Sequence, residues 1–417
     1  MNASPAAAGS GSGPRPAARV AGFEPSVFSV YAQLAHEHEA IDLGQGYPSD
    51  GPPGFVRDAL REASKGPQQY APMRGLPALR REIAFDHGRW TGNELDPDRH
   101  VLVTVGATEA LFAAFQAVLD PGDEAIVFEP WYDAYPAQIR MAGGVPVPVP
   151  LVRGRDGRWT VDPDRLEAAV GPRTRAIVVT NPHNPSGTVL REEEADLLVR
   201  AAERAGAVLV ADEVYEHLSF GGPLRLATRP GAWERTLSIS SFGKSFSATG
   251  WKLGWVTGPQ TLIHGLAMAH QWIPFAVATP LQVAAAEALR RAREQNDRYY
   301  RELRAEFARR ADALIAALEG GPLHAVRPDG GYFVLADASA LPYQDDVAAC
   351  RDLPARAGVG AIPPSAFYAP ERRHLAAHHL RLAFCRPAHE LAEAGRRLSD
   401  AFADRRPPRP PKEHRPT

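Results

Sequence analysis

The chain has 417 residues, 44% of them hydrophobic and 23% charged, and a formal net charge of −2. That length exceeds what one hydrophobic core usually supports, so two domains sharing an interface are expected. The balanced charge, with no like-charge block in the body, speaks against a nucleic-acid or membrane-surface partner. Two cysteines, Cys350 and Cys385, stand in no metal-ligand or redox spacing, which fits a reducing, cytoplasmic setting, and no apolar run reaches the roughly 18 residues of a membrane span.

Residues 1–20 are rich in Ala, Gly, Ser and Pro and lack the basic and apolar regions of a signal peptide, so they read as a disordered arm. Residues 21–60 are expected to cross into a smaller domain. The large domain is assigned to 61–300. From about residue 97 short β-branched runs alternate with helical stretches: "HVLVTVGA", then the helix "TEALFAAFQAVL", then "DEAIVFEP", "VPVPVPL" and "RAIVVTNPHNPSG". The helix "EEEADLLVRAAERAG", its first turn acidic as the macrodipole favours, leads into "AVLVADEVY", "TLSISSFGK" and "KLGWVTG". Strands separated by helices imply an α/β domain with a largely parallel sheet. Residues 280 to 320 read as one long helix stopped by Gly320 and Gly321. The small α+β domain is assigned to 301–404, and 405–417 to a disordered basic, Pro-rich tail.

Polar residues recur where these strands end. Thr108 opens a helix after "VTVGA", Asn184 follows "AIVVT", Asp212 and Tyr215 follow "AVLV", and Ser241 and Lys244 follow "TLSIS". The carboxyl ends of parallel strands converge on one crevice. Singly, Asp212 reads as a helix cap and Asn184 as a turn former. Together they match the needs of pyridoxal 5′-phosphate: a lysine for the Schiff base, a carboxylate for the pyridine nitrogen, donors to the phenolic oxygen and an anion hole. Lys244 is the expected covalent and catalytic lysine and Asp212 the carboxylate. Tyr215 and Asn184 are the expected donors. The N–H groups of Ala107 and Thr108, with Ser241 and Lys252, suit a phosphate. Tyr132 is placed to stack on the ring. Arg381, on a strand of the small domain, is a fork for a substrate carboxylate. "HEH" at 36–38 and His378–His379 form no metal motif, and none is assigned a metal.

Six signatures in order resemble a fold-type-I, class I/II aminotransferase: "LGQGYP" (43–48), "QYAPMRGLPALR" (69–80), "NPHNPSG" (181–187), "ADEVYEHL" (211–218), "SSFGKSFSATGWKLGW" (240–255) and "LRLAF" (380–384). Within that family, "LGQGYP", "VLVTVGATEAL" and "TGWKLGW" are similar to the kynurenine, glutamine and methionine branch. "DEVYEHL" and "GVGAIPPSAFY" resemble the actinobacterial N-succinyldiaminopimelate type. The resemblance implies a large, mostly parallel seven-stranded sheet domain beside the smaller one. It implies that Gly46 offers its backbone to the substrate carboxylate and that Phe28 or Tyr31 shapes the side-chain pocket. It also implies that Tyr70 reaches the cofactor phosphate of a neighbouring subunit in a homodimer with shared sites.

The family often has alanine where Phe242 stands, and phenylalanine where Tyr47 stands. Met73 and Arg74 are expected near the substrate entrance, Arg74 being either a solvated charge or a second anion contact. The expected activity is transfer of an amino group from an L-amino acid to a 2-oxo acid. The same residues also suit carbon–sulfur β/γ-lysis or a tailoring reaction that forms a bond at Cβ or Cγ. A cofactor-sensing regulator would carry a DNA-binding module ahead of the fold, for which the low-complexity arm is too short.

Overall fold

The computed structural model describes residues 14–92 and 94–403. The expected tail at 405–417 and residues 1–13 of the expected arm lie outside the described residues. In the rest of that arm, Ala18–Ala21 forms one helical turn.

Among the described residues, one sheet holds seven strands: β1 (Val101–Thr104), β2 (Glu124–Glu129), β3 (Val145–Pro150), β4 (Thr174–Thr180), β5 (Val208–Asp212), β6 (Thr236–Ser241) and β7 (Gly254–Thr257). Their spatial order is β1-β7-β6-β5-β4-β2-β3. β7 runs antiparallel to both of its neighbours, and the remaining pairings are parallel. The near-continuous apolar runs in β2, β4 and β5 follow from burial on both faces. Ile126 packs in the cluster containing the helix Glu192–Ala205, while its neighbour Val127 packs with the helix Gly106–Val118 on the other side. Alternation of period two thus places consecutive residues in different layers.

A second, antiparallel sheet joins β8 (His324–Ala325), β9 (Phe333–Asp337) and β10 (His379–Ala383). The amino-terminal segment crosses to the same region, where Ile41–Asp42 and Val359–Gly360 form a separate two-stranded parallel sheet. The helix Ala388–Ala401 packs along Arg298–Leu318.

The single helix expected over 280–320 is two helices, Thr279–Glu294 and Arg298–Leu318. Asn296 and Asp297 between them adopt left-handed backbone, φ 52° and 56°. Asn and Asp are the non-glycine residues that tolerate this conformation best, and two in succession end the helical run. Among the described residues no helix is long and apolar enough to cross a membrane.

Candidate active site

The strand ends of β1, β4, β5 and β6 open onto a cavity of about 320 Å³, closed from the other side by β9 and β10. Lys244, Asp212, Tyr215, Ala107, Thr108, Tyr132, Asn184, Ser241, Lys252, Gly46, Arg381 and Phe28 all line it. Tyr70 does not. It is 84% exposed, edge-on to the Phe275 ring at 5.3 Å.

Lys244 sits in the short helix Phe242–Ser245 that follows β6. Its Nζ donates to Gly46 O at 2.6 Å, and Tyr332 Oη donates to the Lys244 carbonyl at 2.8 Å. Burial lowers the amine to about 8, with Arg381 and Lys252 adding to the shift and Asp212 opposing it. Gly243 is small for a local reason: a Cβ there would stand 2.7 Å from Thr249 Cα. Phe242 points into the core, stacked on Phe246 and Trp251. Its departure from the family pattern is therefore a packing feature.

Asp212 ends β5 and is buried. Tyr135 Oη donates to its Oδ2 at 2.5 Å, whereas Oδ1, equally buried, has no hydrogen-bond partner among the described residues. Burial raises the Asp212 carboxyl, and the Tyr135 hydroxyl, the Val214 N–H and the Lys244 charge oppose that rise. Burial likewise pushes the Tyr132 phenol up to about 12 and raises Tyr215, so both hydroxyls keep their protons and remain donors.

At the far end, Gly106 opens the helix Gly106–Val118 with φ +70°. The Lys252 ammonium lies 3.4 Å from Thr108 Oγ1. A helix N-terminus, a lysine and the Ser241 and Thr108 hydroxyls meet there, a combination whose charge and donors suit an anion. Gly254 lets β7 pass beneath it: a Cβ would stand 3.0 Å from Ala107 N.

Arg381 on β10 is fully buried. Its Nη1 donates to Asn184 Oδ1 at 3.2 Å and its Nη2 to Gly44 O, while Nε has no partner among the described residues. The Phe333, Phe28 and Phe367 rings surround the guanidinium with centroids at 4.1, 4.8 and 5.3 Å. Burial lowers it to about 10, so it stays charged at neutral pH.

These groups fit pyridoxal phosphate: an amine, a buried carboxylate oxygen awaiting a cationic N–H, hydroxyl donors and an anion cradle share one cavity. Of the two side chains expected to shape the pocket, Phe28 lines the cavity and Tyr31 is buried away from it. Two expectations differ from the structure. Met73, partly buried, packs against the core and does not line the cavity. Arg74 donates to Asp98 O, away from the cavity, because its chain segment pairs with β1 through Val103 N and Arg74 O. Sequence reasoning missed Tyr135 and Phe333. The first sits on the helix Ala134–Met141 rather than at a strand end; its one signal was a second tyrosine in "EPWYDAY". Among the described residues no three His, Cys, Asp or Glu side chains group as a metal site.

The family model described as "Aminotransferase class I and II" matches residues 38–398. A probable N-succinyldiaminopimelate aminotransferase of Mycobacterium tuberculosis is 41% identical over 91% of this chain and 97% of its own length. A kynurenine–oxoglutarate transaminase of Dictyostelium discoideum is 35% identical over 91% and 95%. An Escherichia coli structure reported to identify a methionine aminotransferase function superposes with a TM-score of 0.87, 35% identity and coverage of 93% of this chain and all of its own.

Proposed function

This chain belongs to the class I and II aminotransferases, and from that premise we propose that it binds pyridoxal 5′-phosphate through Lys244 and takes the amino group of an L-amino acid with an uncharged side chain. The observation that carries the cofactor assignment is the buried, unpartnered Asp212 Oδ1 lining the same cavity as the Lys244 amine. A buried carboxylate oxygen without a partner is costly, and the protonated ring nitrogen is the cation that would satisfy it. When bound, the cofactor supplies an electron-withdrawing ring that acidifies the donor Cα–H and carries nitrogen to a 2-oxo acid.

The chain's own residues would do the rest. Asp212 would keep the ring nitrogen protonated, Tyr215 and Asn184 would donate to the ring oxygen, and Tyr132 would pack on the ring. Ala107, Thr108, Ser241 and Lys252 would hold the phosphate. Arg381 would clamp the donor α-carboxylate beside the Gly46 backbone, with Phe28 shaping the side-chain pocket. Lys244, its amine lowered by burial to about 8, would be the base that takes the Cα proton.

The substrate class follows from a count of cations. Among the described residues lining the cavity these are Lys244, Lys252 and Arg381. Two serve the cofactor and one the α-carboxylate, and the remaining wall includes Phe28, Tyr47, Leu111 and Phe333. That wall suits an apolar, aromatic or thioether side chain. Likeness to the mycobacterial relative favours a second reading, a succinylated diamino-acid donor. A half-reaction screen decides: methionine, phenylalanine and the succinylated diamino acid are each mixed with the holoenzyme, and conversion of the chromophore to its amine form is followed. Conversion by the last alone overturns the uncharged-donor reading. Ammonia release without the amine form supports a lyase instead.

The chain is further proposed to act as a homodimer in which Tyr70 completes the partner's phosphate site. Tyr70, Trp272 and Phe275 are exposed at 84%, 85% and 58%, an apolar surface suited to a second copy. Mixed dimers carrying Tyr70→Phe on one chain and Lys244→Ala on the other test it: no recovered activity would favour self-contained sites.

A further inference from the structure

Behind the cavity, the chain after β5 turns through Glu213–Glu216. Asp212 and Tyr215 line the cavity, whereas the side chains of Glu213 and Glu216 turn into the interior and are buried. Glu213 Oε1 accepts from Leu226 N at 2.8 Å, and Glu216 Oε2 is ion-paired with Arg225 Nη1. One residue earlier, Leu224 O accepts from Asn181 Nδ2 at 2.7 Å, and Asn181 begins the turn that carries Asn184. Three consecutive residues, Leu224 to Leu226, therefore hold two separate turns that present cofactor-facing side chains.

Arg225 is itself held from behind. His87, on the helix Pro77–Thr91, lies 3.3 Å from Arg225 Nη1 through its Nε2. The Trp255 indole N–H also reaches that nitrogen at 3.3 Å, and an indole can only donate. Nε2 is therefore the acceptor, and Nδ1 carries the proton toward Thr257 Oγ1 at 2.9 Å. The imidazole is neutral and fixed in one tautomer by β7. Asp86 and His217 complete the cluster: His217 Nε2 lies 3.7 Å from Glu216 and 3.9 Å from Asp86, its ring stacked on Tyr300 at 3.8 Å.

We propose that Arg225 is a positioning residue for the reaction: its guanidinium fixes the Asp212–Tyr215 turn through Glu216, from a segment whose backbone at Leu224 and Leu226 ties down Asn181 and Glu213. Burying charge is expensive, and apolar side chains of similar volume often hold a core as well. An apolar residue, however, cannot hold Glu216 in one direction, and that direction sets where Tyr215, its neighbour in the chain, points. Burial pushes Glu216 up to about 7 while Arg225 opposes the rise, so without Arg225 the carboxyl takes a proton rather than remaining a bare buried charge.

The inference rests on the proposal that this cavity takes pyridoxal phosphate. The test is made on holoenzyme with Arg225→Met, Arg225→Lys and Glu216→Gln, reading the visible circular dichroism of the bound chromophore, which reports ring tilt, its rate of release on dilution, and the melting temperature. Arg225→Met is expected to release cofactor about tenfold faster and to change the visible band, as displaced outer-shell partners do elsewhere, with partial recovery in Arg225→Lys. A folded Arg225→Met with wild-type band and release rate, whatever its melting temperature, overturns the proposal. Should Arg225→Met not fold, Glu216→Gln decides by the same two readouts: altered values support it and unaltered values overturn it. A wild-type chain that takes up no chromophore overturns the cofactor reading and this one with it. A coloured wild type with unaltered variants removes this one alone.

Discussion

Tyr135 donates its hydroxyl to Asp212 Oδ2 at 2.5 Å while its oxygen lies 2.7 Å from Thr180 Oγ1. A tyrosine has one proton to give, so Thr180 donates to Tyr135 and the relay ends on the carboxylate. One oxygen of Asp212 is thereby satisfied within the chain and the other left for a ligand. Tyr135→Phe removes a hydrogen bond to a charged acceptor, a loss of about 2 kcal/mol, and cofactor affinity should fall roughly thirtyfold. The Tyr135 hydroxyl also lowers the Asp212 carboxyl against the rise from burial. Without it the carboxylate protonates at higher pH, and the acid limb of the activity profile should move upward. A profile superimposable on the wild type would refute the relay.

Lys244 gives a prediction with a definite sign. Its folded value, about 8, lies below the ordinary 10.5. Between those values the unfolded chain binds more protons, so native stability rises with pH through that window, and below it the penalty of burying the ammonium is complete. In cofactor-free protein, Lys244→Met should therefore raise the melting temperature at pH 7, by about 2–4 °C. The gain should shrink as pH approaches 10.5. A gain independent of pH would show that packing, not charge, is responsible. The same variant should show no turnover and leave no borohydride-trapped adduct.

Arg381 is held by Asn184 and Gly44 and ringed by three aromatic side chains. Arg381→Lys keeps the charge but loses the planar fork. Losing the second, parallel hydrogen bond of the fork to a charged carboxylate costs up to about 3 kcal/mol, so kcat/KM should fall by roughly a hundredfold. The loss should appear mainly in KM, since the carboxylate is bound equally before and during reaction. Steady-state kinetics with the best donor of the screen checks this, and an unchanged KM would remove Arg381 from the carboxylate site.

Much of this arrangement was legible because each residue marks a strand end with its own punctuation. Asn184 stands among prolines and glycine, Asp212 closes an apolar run, and Lys244 follows a glycine that close packing demands. What was not legible depends on contacts between distant segments. Tyr135 acquires its meaning from Asp212, 77 residues away in the chain. Arg74 looked available from sequence, yet its segment is tied to β1 and its side chain to Asp98. The break at Asn296–Asp297 was signalled by two turn-prone residues, but periodicity continued on both sides and concealed it.

Gly46 and Phe333 supply the last prediction. A Cβ on Gly46 would stand 2.4 Å from Phe333 Cζ, a distance no pair of carbons tolerates, so Phe333 must move if alanine is placed there. The backbone of Gly46 is not left-handed, so the contact alone carries the cost. Phe333 is the ring nearest the Arg381 guanidinium, at 4.1 Å. Displacing it disturbs the Arg381 guanidinium as well as the Gly46 carbonyl that accepts the Lys244 hydrogen bond. Overpacking of this kind costs about 1–3 kcal/mol, and Gly46→Ala should raise KM roughly tenfold. Phe333→Leu removes the clashing ring edge and should be worse than wild type alone, because the guanidinium loses a stacked face. Combined, the two changes should be less damaging than their separate effects added together, with a coupling of about 1 kcal/mol. Strict additivity in that cycle would mean that Gly46 is small for a reason other than Phe333.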